Sequence, residues 1–549
     1  MTKSLLAISI GPVQPFIAAA RKTRDFWCGS TLLSQVARAV AHSLKEQRAE
    51  LIFPAPELLK APVGEGRTDE SVDADVANKV LARFEGDPDA LAKAAEEAGR
   101  ERLRAIAGDA FRRAPEIDKA LAFQQLDSLL ELYWAAVPLR DGQYKHARDL
   151  VERLLAARKN TRNFSSLEVD ENRGRKPKCA IDGQREAVAN VSTGERDRTE
   201  PLCGVCLVKR FAFGATSWSD DTTTHFAVKP AIAELKGTDE FKAFRGFFSR
   251  FSNTEVEASF FFEERLRSLI PEPELKDAQR TLRQLKDATR LQPSPYYALL
   301  RADGDHMGKA INACHDIESH QRLSERLVAF TQKAKDVVRQ HHGRVVYAGG
   351  DDVLALLPVK DSIRCATGLA DAFASQVTEQ LVFPDSVRPT LSVGLVVAHH
   401  LDPLTDVIEL SHRAEQAAKV HRNALAVLVS KRSGSDYLAS GHWGTFDKSL
   451  VGLIEAFQQG RLPGGLSHEL ARIAIHTRGM DDDRHPIEEA ELTRILARKR
   501  ADKGNAQIDE ATQSLVKLVP TEPERATLSS LVRLLCVARE LASLSQGAR

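Results

Sequence analysis

The sequence lacks the features that mark membrane and secreted proteins. No apolar run approaches the roughly 20 residues that a transmembrane helix needs, and the apolar stretch in MTKSLLAISIGPVQ is too short for a signal peptide and has no cleavage site. The seven cysteines are odd in number and mostly far apart, which does not fit a secreted disulfide framework. We therefore expect a cytoplasmic protein with no membrane contact.

The chain also lacks an excess of charge of either sign. Lys and Arg number 77, Asp and Glu number 76, and the net charge is +1. This excludes the overall basicity of a histone or a ribosomal protein, so any contact with nucleic acid must come from local patches or from partner subunits. With 549 residues, of which 43% are hydrophobic, the chain can form about three to five domains with cores of their own.

One acidic pair interrupts an apolar stretch, VVYAGGDDVLALLP (345–358). Gly349 and Gly350 predict a tight hairpin, because glycine tolerates the positive φ of such turns. The hairpin would carry Asp351 and Asp352 at its tip. Side chains alternate between the faces of a strand, so one of the two must act from the turn. Alone, such a GGDD is more often an exposed hairpin tip than a metal site.

Residues 296–435 give the hairpin a context. Their pattern predicts the order β-α-β-β-α-β with one extra helix, the split βαβ or ferredoxin-like plan. In this plan the hairpin lies beside the first strand, which ends in Asp303. Asp303 should therefore meet Asp351 and Asp352, although 48 positions separate it from Asp351. Clustered carboxylates repel unless cations neutralise them, and two Mg²⁺ ions about 3.5–4 Å apart would serve a phosphoryl transfer.

The residues around these carboxylates favour a nucleotide. The turn DGDHMGK (303–309) offers backbone N–H groups at a predicted helix start, which is typical of a phosphate site and also of a simple Asp cap. Lys309, Lys419 and Arg422 are candidate neutralisers of phosphate. The full set of predicted nucleotide-binding residues is Gly304, Asp305, Gly308, Lys309, Gly349, Gly350, Lys419 and Arg422.

A short internal repeat indicates that the fold occurs twice. The N-terminal SLLAISIGPV (4–13) aligns without a gap to YYALLRADGD (296–305), with Gly11 in place of Asp303 and Val13 in place of Asp305. Only the second copy has the carboxylates. Between the copies, we expect helices across 76–130 and strands at HFAVKP (225–230) and SFFFEE (259–264).

Several segments together resemble one protein family. GPVQPFIAAARKTRDFWCGSTLLS (11–34), the segment KCAIDGQREA … PLCGVCLVKR, the turn DGDHMG and the GGDD hairpin occur in the order found in the large, polymerase-like subunit of type III CRISPR effector complexes, Cmr-type branch. The similarity covers about residues 4–435. More distantly, the second copy resembles GGDEF diguanylate cyclases and class III nucleotide cyclases.

The resemblance implies an α+β fold with two ferredoxin-like palm domains, an inserted cysteine/zinc module and a C-terminal helical domain. The predicted limits are 1–159 for a non-catalytic first palm with a helical insertion, 160–212 for the module, 213–291 for the rest of the first palm, 292–435 for the second palm, and 436–549 for the helical domain.

The resemblance also implies an activity. Once the complex has bound target RNA, the second palm would convert ATP to cyclic oligoadenylate, with Mg²⁺ (or Mn²⁺) held by Asp303, Asp351 and Asp352 as the catalytic residues. A ribose 3′-OH would attack the α-phosphate of another ATP, and pyrophosphate would leave. The implied partners are guide RNA, target RNA and other Cmr-type subunits.

The cysteines predict a zinc site. Cys203-Gly-Val-Cys206 is a good half-site by spacing. The family pattern has a second C-x-x-C upstream, where this sequence reads Cys179-Ala-Ile-Asp182. Zn²⁺ bound by Cys179, Asp182, Cys203 and Cys206 is therefore expected, and the alternative is a weakened or empty site packed by thiols. The neighbouring RGRKPK (173–178) is either a contact for RNA phosphates or a solvated surface.

Many family members carry an HD nuclease domain before the GPVQ segment. Here that segment starts ten residues after Met1, and the pair His315-Asp316 has no further histidines near it, so we expect no DNA cleavage. Other functions stay open: a catalytically silent scaffold of the RNA-guided complex, conjugation of ATP to a different acceptor, or a stand-alone cyclic dinucleotide cyclase. The last is disfavoured because the sequence shows no sensor domain.

Overall fold

The computed structural model describes residues 3–59, 77–114, 116–161, 176–193, 198–214, 222–251, 258–384, 387–477, 487–488, 490–495, 498 and 528–546. Two large β-sheets, one in each half of the chain, organise the molecule. Helices connect the strands of both sheets, so the fold is of the α+β class. None of the helices in these ranges is both long enough and apolar enough to cross a membrane.

The first sheet has four antiparallel strands in the order β2-β3-β1-β4. The strands are β1 (Lys3–Gly11), β2 (Glu50–Phe53), β3 (Lys79–Glu85) and β4 (Glu131–Pro138). The helices between and after them are α1 (Gln14–Ala18), α2 (Thr23–Glu46), α3 (Pro88–Arg113), α4 (Lys119–Asp127) and α5 (Tyr144–Asn160). Because side chains of β1 alternate, Leu6 and Ile8 share a core with α2, whereas Leu5 and Ala7 face α5.

Strand β3 corrects one prediction. Residues 76–130 were expected to be helical throughout, but Lys79–Glu85 pairs with both β1 and β2. Its charged residues hide the alternating pattern of a strand. Lys79 forms an ion pair with Glu152, and Arg83 pairs with Glu50 on the neighbouring strand. Cross-strand partners of this kind stabilise charges on a sheet and are invisible to local pattern analysis.

The cysteine segment forms a small hairpin and a helix, β5 (Ala189–Ser192), β6 (Thr199–Leu202) and α6 (Gly204–Phe211). Helix α6 is fastened to α2 by a buried ion network. The Arg210 guanidinium donates to Asp25 at 2.7 Å and to Glu200 at 2.6 Å. The module is thus joined to the first palm by this paired ion network and by a shared hydrophobic core.

Residues 222–291 are helical where the structure describes them, which corrects the strands predicted at 225–230 and 259–264. The helices are α7 (Thr223–Leu235), α8 (Asp239–Phe248), α9 (Glu263–Leu269) and α10 (Glu272–Thr289), with a short 3₁₀ turn at Ala258–Phe261. Phe241, Phe244 and Phe248 follow helical spacing and pack together. Dense phenylalanines therefore indicated burial, not strands. Helix α7 packs on the second sheet.

The second sheet has six strands in the order β12-β11-β10-β7-β9-β8. The strands are β7 (Tyr296–Asp305), β8 (Arg344–Gly349), β9 (Asp352–Pro358), β10 (Thr390–His399), β11 (Ala424–Val429) and β12 (Tyr437–His442). The helices are α11 (Met307–Ala313), α12 (Ile317–Gln340), α13 (Val359–Phe373) and α14 (Leu404–His421). The inner order β10-β7-β9-β8 matches β4-β1-β3-β2 of the first sheet, so the predicted duplication of the strand plan is confirmed.

The segment after residue 435 begins with a strand, not with the predicted helix. Tyr437–His442 pairs antiparallel with β11 and so extends the second sheet. The remaining described elements are helical as predicted: α15 (Phe446–Gln458), α16 (Leu466–His476) and α17 (Leu528–Gln546). They share one hydrophobic core with the second sheet. The domain limits themselves stay predictions.

The two palms are in direct contact. One hydrophobic core runs from Leu6 and Ile8 of β1 through α2 to Tyr297 and Leu299 of β7. A buried hydrogen bond of 2.7 Å joins Tyr144 of α5 to His320 of α12. The end of β7, where Asp303 lies, is therefore supported from both halves of the chain.

Candidate active site in the second palm

The acidic hairpin is a two-residue turn. Gly349 pairs with Asp352 across the ladder, so Gly350 and Asp351 form the turn itself. Gly350 has a φ of +68°, a left-handed conformation that glycine adopts without strain. The carbonyl of Gly350 accepts a 3.4 Å hydrogen bond from Thr331 of α12, which holds the turn on the helix behind it. The sequence prediction of a glycine hairpin with carboxylates at its tip is confirmed.

Asp352 and Asp303 lie side by side. Strand β9 pairs with β7 through Ala302 and Val353, so the next residue of each strand points to the opposite face, and these residues are Asp303 and Asp352. Desolvation by the surrounding protein and the charges of Asp351 and Asp303 raise the pKa of Asp352 well above its usual range. Because Asp352 is exposed as a residue, we assign most of this effect to the neighbouring carboxylates.

Asp351 reaches the same place from the turn, as the alternation of side chains requires. Its carboxylate accepts a backbone hydrogen bond from Gly304. A Cβ at position 304 would lie 2.7 Å from Asp351 Oδ2 and 2.7 Å from Met307 Cγ, so only glycine permits this approach. Burial, followed by repulsion from Asp303, raises the pKa of Asp351 to about 7. The three carboxylates thus lie close enough for the charge of Asp303 to act on both Asp351 and Asp352.

Lys419 of α14 partly offsets this negative charge. Its ammonium lies 2.8 Å from Asp303 Oδ2 and 3.2 Å from Asp305 Oδ1. It also donates to the backbone carbonyls of Asp303 and Gly304. Burial opposes its charge, but the hydrogen bond and charge of Asp303, with the charge of Asp305, leave the pKa of Lys419 raised. In the free chain this predicted phosphate ligand is occupied by carboxylates.

Asp305 is an anchor inside the protein. It is 1% exposed and accepts hydrogen bonds from Thr390 at 2.9 Å, Ser392 at 2.8 Å and the backbone N–H of Asn423 at 2.9 Å. Its carboxylate therefore fastens β7 to β10 and to the end of α14. A direct contact with nucleotide stays an untested prediction that this burial does not favour.

Sequence analysis missed Thr390 and Ser392. The sequence pattern could have indicated both residues, because two hydroxyl residues at alternate positions of TLSVG face the same side of an otherwise apolar strand. It also missed Arg301, which lies on the same face of β7 as Asp303 and pairs with Glu415 at 3.1 Å. The charge of Arg301 acts against the raised pKa of Asp352.

The other predicted residues ring this carboxylate site. Gly308 and Lys309 are exposed at the start of α11, and Arg422 is exposed at the end of α14. After burial, the charges of Arg422 and Lys309 are the largest causes that lower the pKa of His306, which places both cations around the turn. Helix α11 has only seven residues, so its dipole adds little to an anion site.

A narrow cleft opens beside Gly350, between the two palms. The first palm contributes Phe53, Pro54, Leu58 and Ala77, and α12 contributes Ser324, Leu327, Val328 and Thr331. Within the described part of the chain, the Ser324 hydroxyl is buried without a hydrogen-bond partner. The cleft brings the first palm to the edge of the acidic hairpin.

A second polar cluster lies in the cysteine module. Ligand atoms of Cys179, Asp182, Cys203 and Cys206 all fall within 4.8 Å of one another, and Asp182 Oδ2 lies 3.3 Å from Cys203 Sγ. No other described set of three such residues converges this tightly, the palm carboxylates included. Hydrogen bonds from Cys203 and Cys206 lower the pKa of the Cys179 thiol. This donor set fits the tetrahedral preference of zinc.

Two further sequence features have structural uses. Asp316 caps α12, since its carboxylate accepts from the Ser319 N–H at 2.7 Å, so the pair His315-Asp316 marks a helix start. In the basic segment 173–178, residues 173–175 lie outside the described residues, and Lys176 pairs with Asp118 at 2.9 Å.

Two family models match the chain. Residues 296–426 match the second palm domain of Cas10/Cmr2, and residues 5–108 match the N-terminal region of CRISPR-associated protein Cmr2. The CRISPR system Cmr subunit Cmr2 of Pyrococcus furiosus is 24% identical over 555 residues, which cover 80% of this chain and 63% of that relative. The chain thus spans less than two thirds of this curated relative.

Solved structures have the same fold. The apo state of a type III-B Cmr-beta complex contains a chain with a TM-score of 0.67 and 15% identity, and the match covers 98% of this chain and 82% of that one. A chain in the Csm1–Csm4 cassette crystallised with cA4 has a TM-score of 0.51 and 13% identity, and the match covers 100% of this chain and 70% of that one. At these identities the likeness shows the fold alone. With the two family models and the order of motifs, the chain is similar to the Cas10/Cmr2 family, the Cmr-type Cas10 subunits of type III CRISPR systems.

Proposed function

We propose that the second palm joins ATP molecules into cyclic oligoadenylate by metal-dependent 3′–5′ nucleotidyl transfer. One observation carries this proposal: three carboxylates lie close together at the end of β7. Asp303 is on β7, Asp352 is on the neighbouring β9, and Asp351 is in the turn before β9. The relative crystallised with cA4 supports a cyclic adenylate as the product class.

The carboxylates fit divalent metal. Burial, and then the charge of Asp303, raise the pKa of Asp351 to about 7. A divalent ion is the usual counter-charge for such a carboxylate cluster. These three residues would hold Mg²⁺ or Mn²⁺. When bound, the ions neutralise the carboxylates and stabilise charge on the reacting phosphate.

The chain's own cations would bind the triphosphate. Lys419, which pairs with Asp303 at 2.8 Å, would neutralise a phosphate oxygen when Asp303 holds metal instead. Lys309 and Arg422 would neutralise the outer phosphates from the rim of the site. Gly304, Gly308, Gly349 and Gly350 would let backbone N–H groups approach the nucleotide closely.

The reaction itself is a displacement at phosphorus. The ribose 3′-hydroxyl of one ATP loses its proton to solvent as its oxygen forms a bond to the α-phosphorus of another, and the bond from that phosphorus to pyrophosphate breaks. Repetition and ring closure give the cyclic product. The protein contributes position and electrostatics, which dominate catalysis of phosphoryl transfer.

We place this chain in an RNA-guided complex with guide RNA, target RNA and other Cmr-type subunits. A net charge of +1 fits a subunit that shares the binding of nucleic acid with partners. In such complexes base pairing reads the sequence, whereas protein reads backbone and shape. Binding of target RNA would switch on the second palm.

The cysteine module would hold one structural Zn²⁺ through the thiolates of Cys179, Cys203 and Cys206 and an Asp182 oxygen. The convergence of these four ligand atoms within 4.8 Å supports this assignment. Elemental analysis of the purified chain tests it: about one zinc per chain is expected, and a folded module with zinc at background would contradict it.

The activity is tested in the assembled complex with target RNA, ATP and Mg²⁺, with products identified by mass spectrometry. The double variant Asp351→Ala/Asp352→Ala should lose product while RNA binding is kept, and Asp371→Ala, exposed on α13, is the matched control. Unchanged product in the double variant would exclude this hairpin as the catalytic centre. Adenylylated acceptors would favour conjugation, and RNA binding without any product would favour a scaffold.

A further inference from the structure

One arginine of the first palm is buried in the second. Arg148 of α5 is 1% exposed. Its guanidinium donates to the carbonyls of Ile311 and Cys314, the latter at 3.3 Å, and to Asn312 Oδ1 at 3.1 Å. These acceptors lie at the C-terminal end of α11, where the Ile311 carbonyl also accepts from the Cys314 N–H at 3.0 Å.

Packing alone does not account for an arginine here. Burial of a guanidinium is costly unless its donors are paired, and an apolar side chain of similar length would fill the space at lower cost. Asp149 supplies the counter-charge at 2.8 Å from the outer face of the guanidinium. The two terminal nitrogens also donate to the end of α11, which fastens that end of the helix to α5.

The other end of α11 lies beside Gly304 and Asp351. Met307, its first residue, is 8% exposed. The Cγ of Met307 and Asp351 Oδ2 are both 2.7 Å from the place where a Gly304 Cβ would lie, so the three residues pack around one point. A seven-residue helix is about 10 Å long. Movement at its C-terminal end therefore reaches Asp351 through Met307.

A second contact strengthens the same joint. Tyr144 lies one helical turn before Arg148 on α5, on the same face, and its hydroxyl is 2.7 Å from His320 Nδ1 on α12. Gln321 of α12 donates to the Leu51 carbonyl of β2 at 2.9 Å. Helix α5 thus holds both helices that follow the DGD turn.

We propose that Arg148 is a positioning residue for the nucleotide site, because it ties the end of α11, and through Met307 the carboxylate of Asp351, to the first palm. The part of this inference that concerns catalysis rests on the proposed nucleotidyl transfer. Its geometric part concerns the carboxylates alone.

The test compares Arg148→Met and Arg148→Lys with Arg153→Met, an exposed arginine of the same helix, in the assembled complex. We expect Arg148→Met to lower kcat about 10-fold with KM for ATP within about 2-fold, since misplaced catalytic groups reduce turnover more than binding. Arg148→Lys keeps the charge and should fall between. Arg153→Met should match the unmodified complex.

Mn²⁺ binding, followed by electron paramagnetic resonance without ATP, separates this inference from the proposed function. Arg148→Met should weaken Mn²⁺ binding about 3-fold or more, and Arg153→Met should not. If no complex makes cyclic product but Arg148→Met still weakens Mn²⁺ binding, the proposed function fails and the positioning role stands. If product forms and Arg148→Met, like Arg153→Met, matches the parent complex in kcat and in Mn²⁺ affinity, the positioning role is overturned.

A milder change guards against misfolding of Arg148→Met. Asn312→Ala removes one acceptor of the guanidinium and leaves the arginine in place. We expect the same direction with a kcat loss of about 3-fold, as for one hydrogen bond, and faster amide exchange across 307–314. Parental values of kcat and amide exchange in Asn312→Ala would contradict the proposal.

Discussion

The two palms share a strand order and differ at the point where chemistry would occur. In the first, β1 ends in Ile10-Gly11 before Pro12, and in the second, β7 ends in Asp303-Gly304-Asp305. The neighbouring hairpin also differs, because β8 and β9 are joined by a two-residue turn, whereas 25 residues, 54–78, separate β2 from β3. The same fold thus has two uses. In the second palm, carboxylates and a tight turn form the candidate site. In the first palm, other residues stand at these positions, and the fold supports the second palm.

Glycines at the ends of these strands offer the sharpest way to break this comparison. Gly304→Ala should abolish most activity, by about 100-fold, because its Cβ would lie 2.7 Å from Asp351 Oδ2. Gly11→Ala meets nothing closer than 3.8 Å and should change activity less than about 2-fold. Rates of cyclic product formation measure both. Equal losses would mean that the ends of the two strands do not differ in function.

Lys419 sharpens the difference in charge between the palms. Lys419→Met should lower kcat/KM for ATP about 30-fold, because a phosphate ligand is lost, and should raise Mn²⁺ affinity, because Asp303 loses its 2.8 Å ion pair. Steady-state kinetics and Mn²⁺ titration check the two effects separately. A parallel fall in both would show that Lys419 supports the site and does not compete for it.

The pH dependence of metal binding should report the crowded carboxylates. The pKa of Asp351 is raised to about 7, so protons compete with metal below that pH and the ionised ligand dominates above it. The rise in Tm caused by Mn²⁺ should therefore be larger at pH 8 than at pH 6. Asp351→Asn should flatten this difference, and an equal rise in Tm at both pH values in the parent chain would contradict the assignment.

The joint between the palms should be sensitive to acid. Burial, followed by the charges of Arg148 and Lys79, lowers the pKa of His320 to about 4. The unfolded chain binds this proton first, so stability is complete above about pH 6.5 and falls as the pH drops toward 4, by at most about 3 kcal/mol. Denaturant unfolding of the parent and of His320→Gln measures this. The variant should show a shallower slope between these pH values, and identical slopes would contradict it.

We predict the smallest effect on the second palm for a substitution in the cysteine module. Cys203→Ser should remove bound zinc and lower Tm by a few degrees, at about 2–4 °C per kcal/mol of stability lost. The rate of cyclic product formation should change less than about 3-fold, because α6 stays fastened to α2 through Arg210 and Asp25. Asp182→Cys should tighten zinc binding. Zinc that is retained in Cys203→Ser would refute the ligand assignment.

Local patterns were sufficient for the second palm and insufficient elsewhere. The hairpin, the first strand and the meeting of Asp303 with Asp352 follow from alternation and from a known strand order. Strand β3 was missed because its charges are paired by residues distant in sequence, Glu50 on the neighbouring strand and Glu152 on α5. The Phe-rich segment was misread because burial by aromatic packing looks alike in strands and helices.

Long-range contacts explain what the site analysis missed. The hydrogen bonds of Asp305 come from Thr390 and Ser392, which lie 85 and 87 positions away. Arg148 lies 163 positions before Ile311, and nothing in the sequence near either residue indicates their contact. Such pairs depend on how the two palms dock, which no local spacing encodes.

The central claim is that Asp303, Asp351 and Asp352 together hold the divalent ions for nucleotidyl transfer. The most direct measurement is anomalous diffraction or high-resolution cryo-EM of the complex with target RNA, Mn²⁺ and a non-reactive ATP analogue. We predict metal density contacting all three carboxylates, with Lys419 turned to phosphate. Metal bound elsewhere, with Lys419 still on Asp303, would contradict the account.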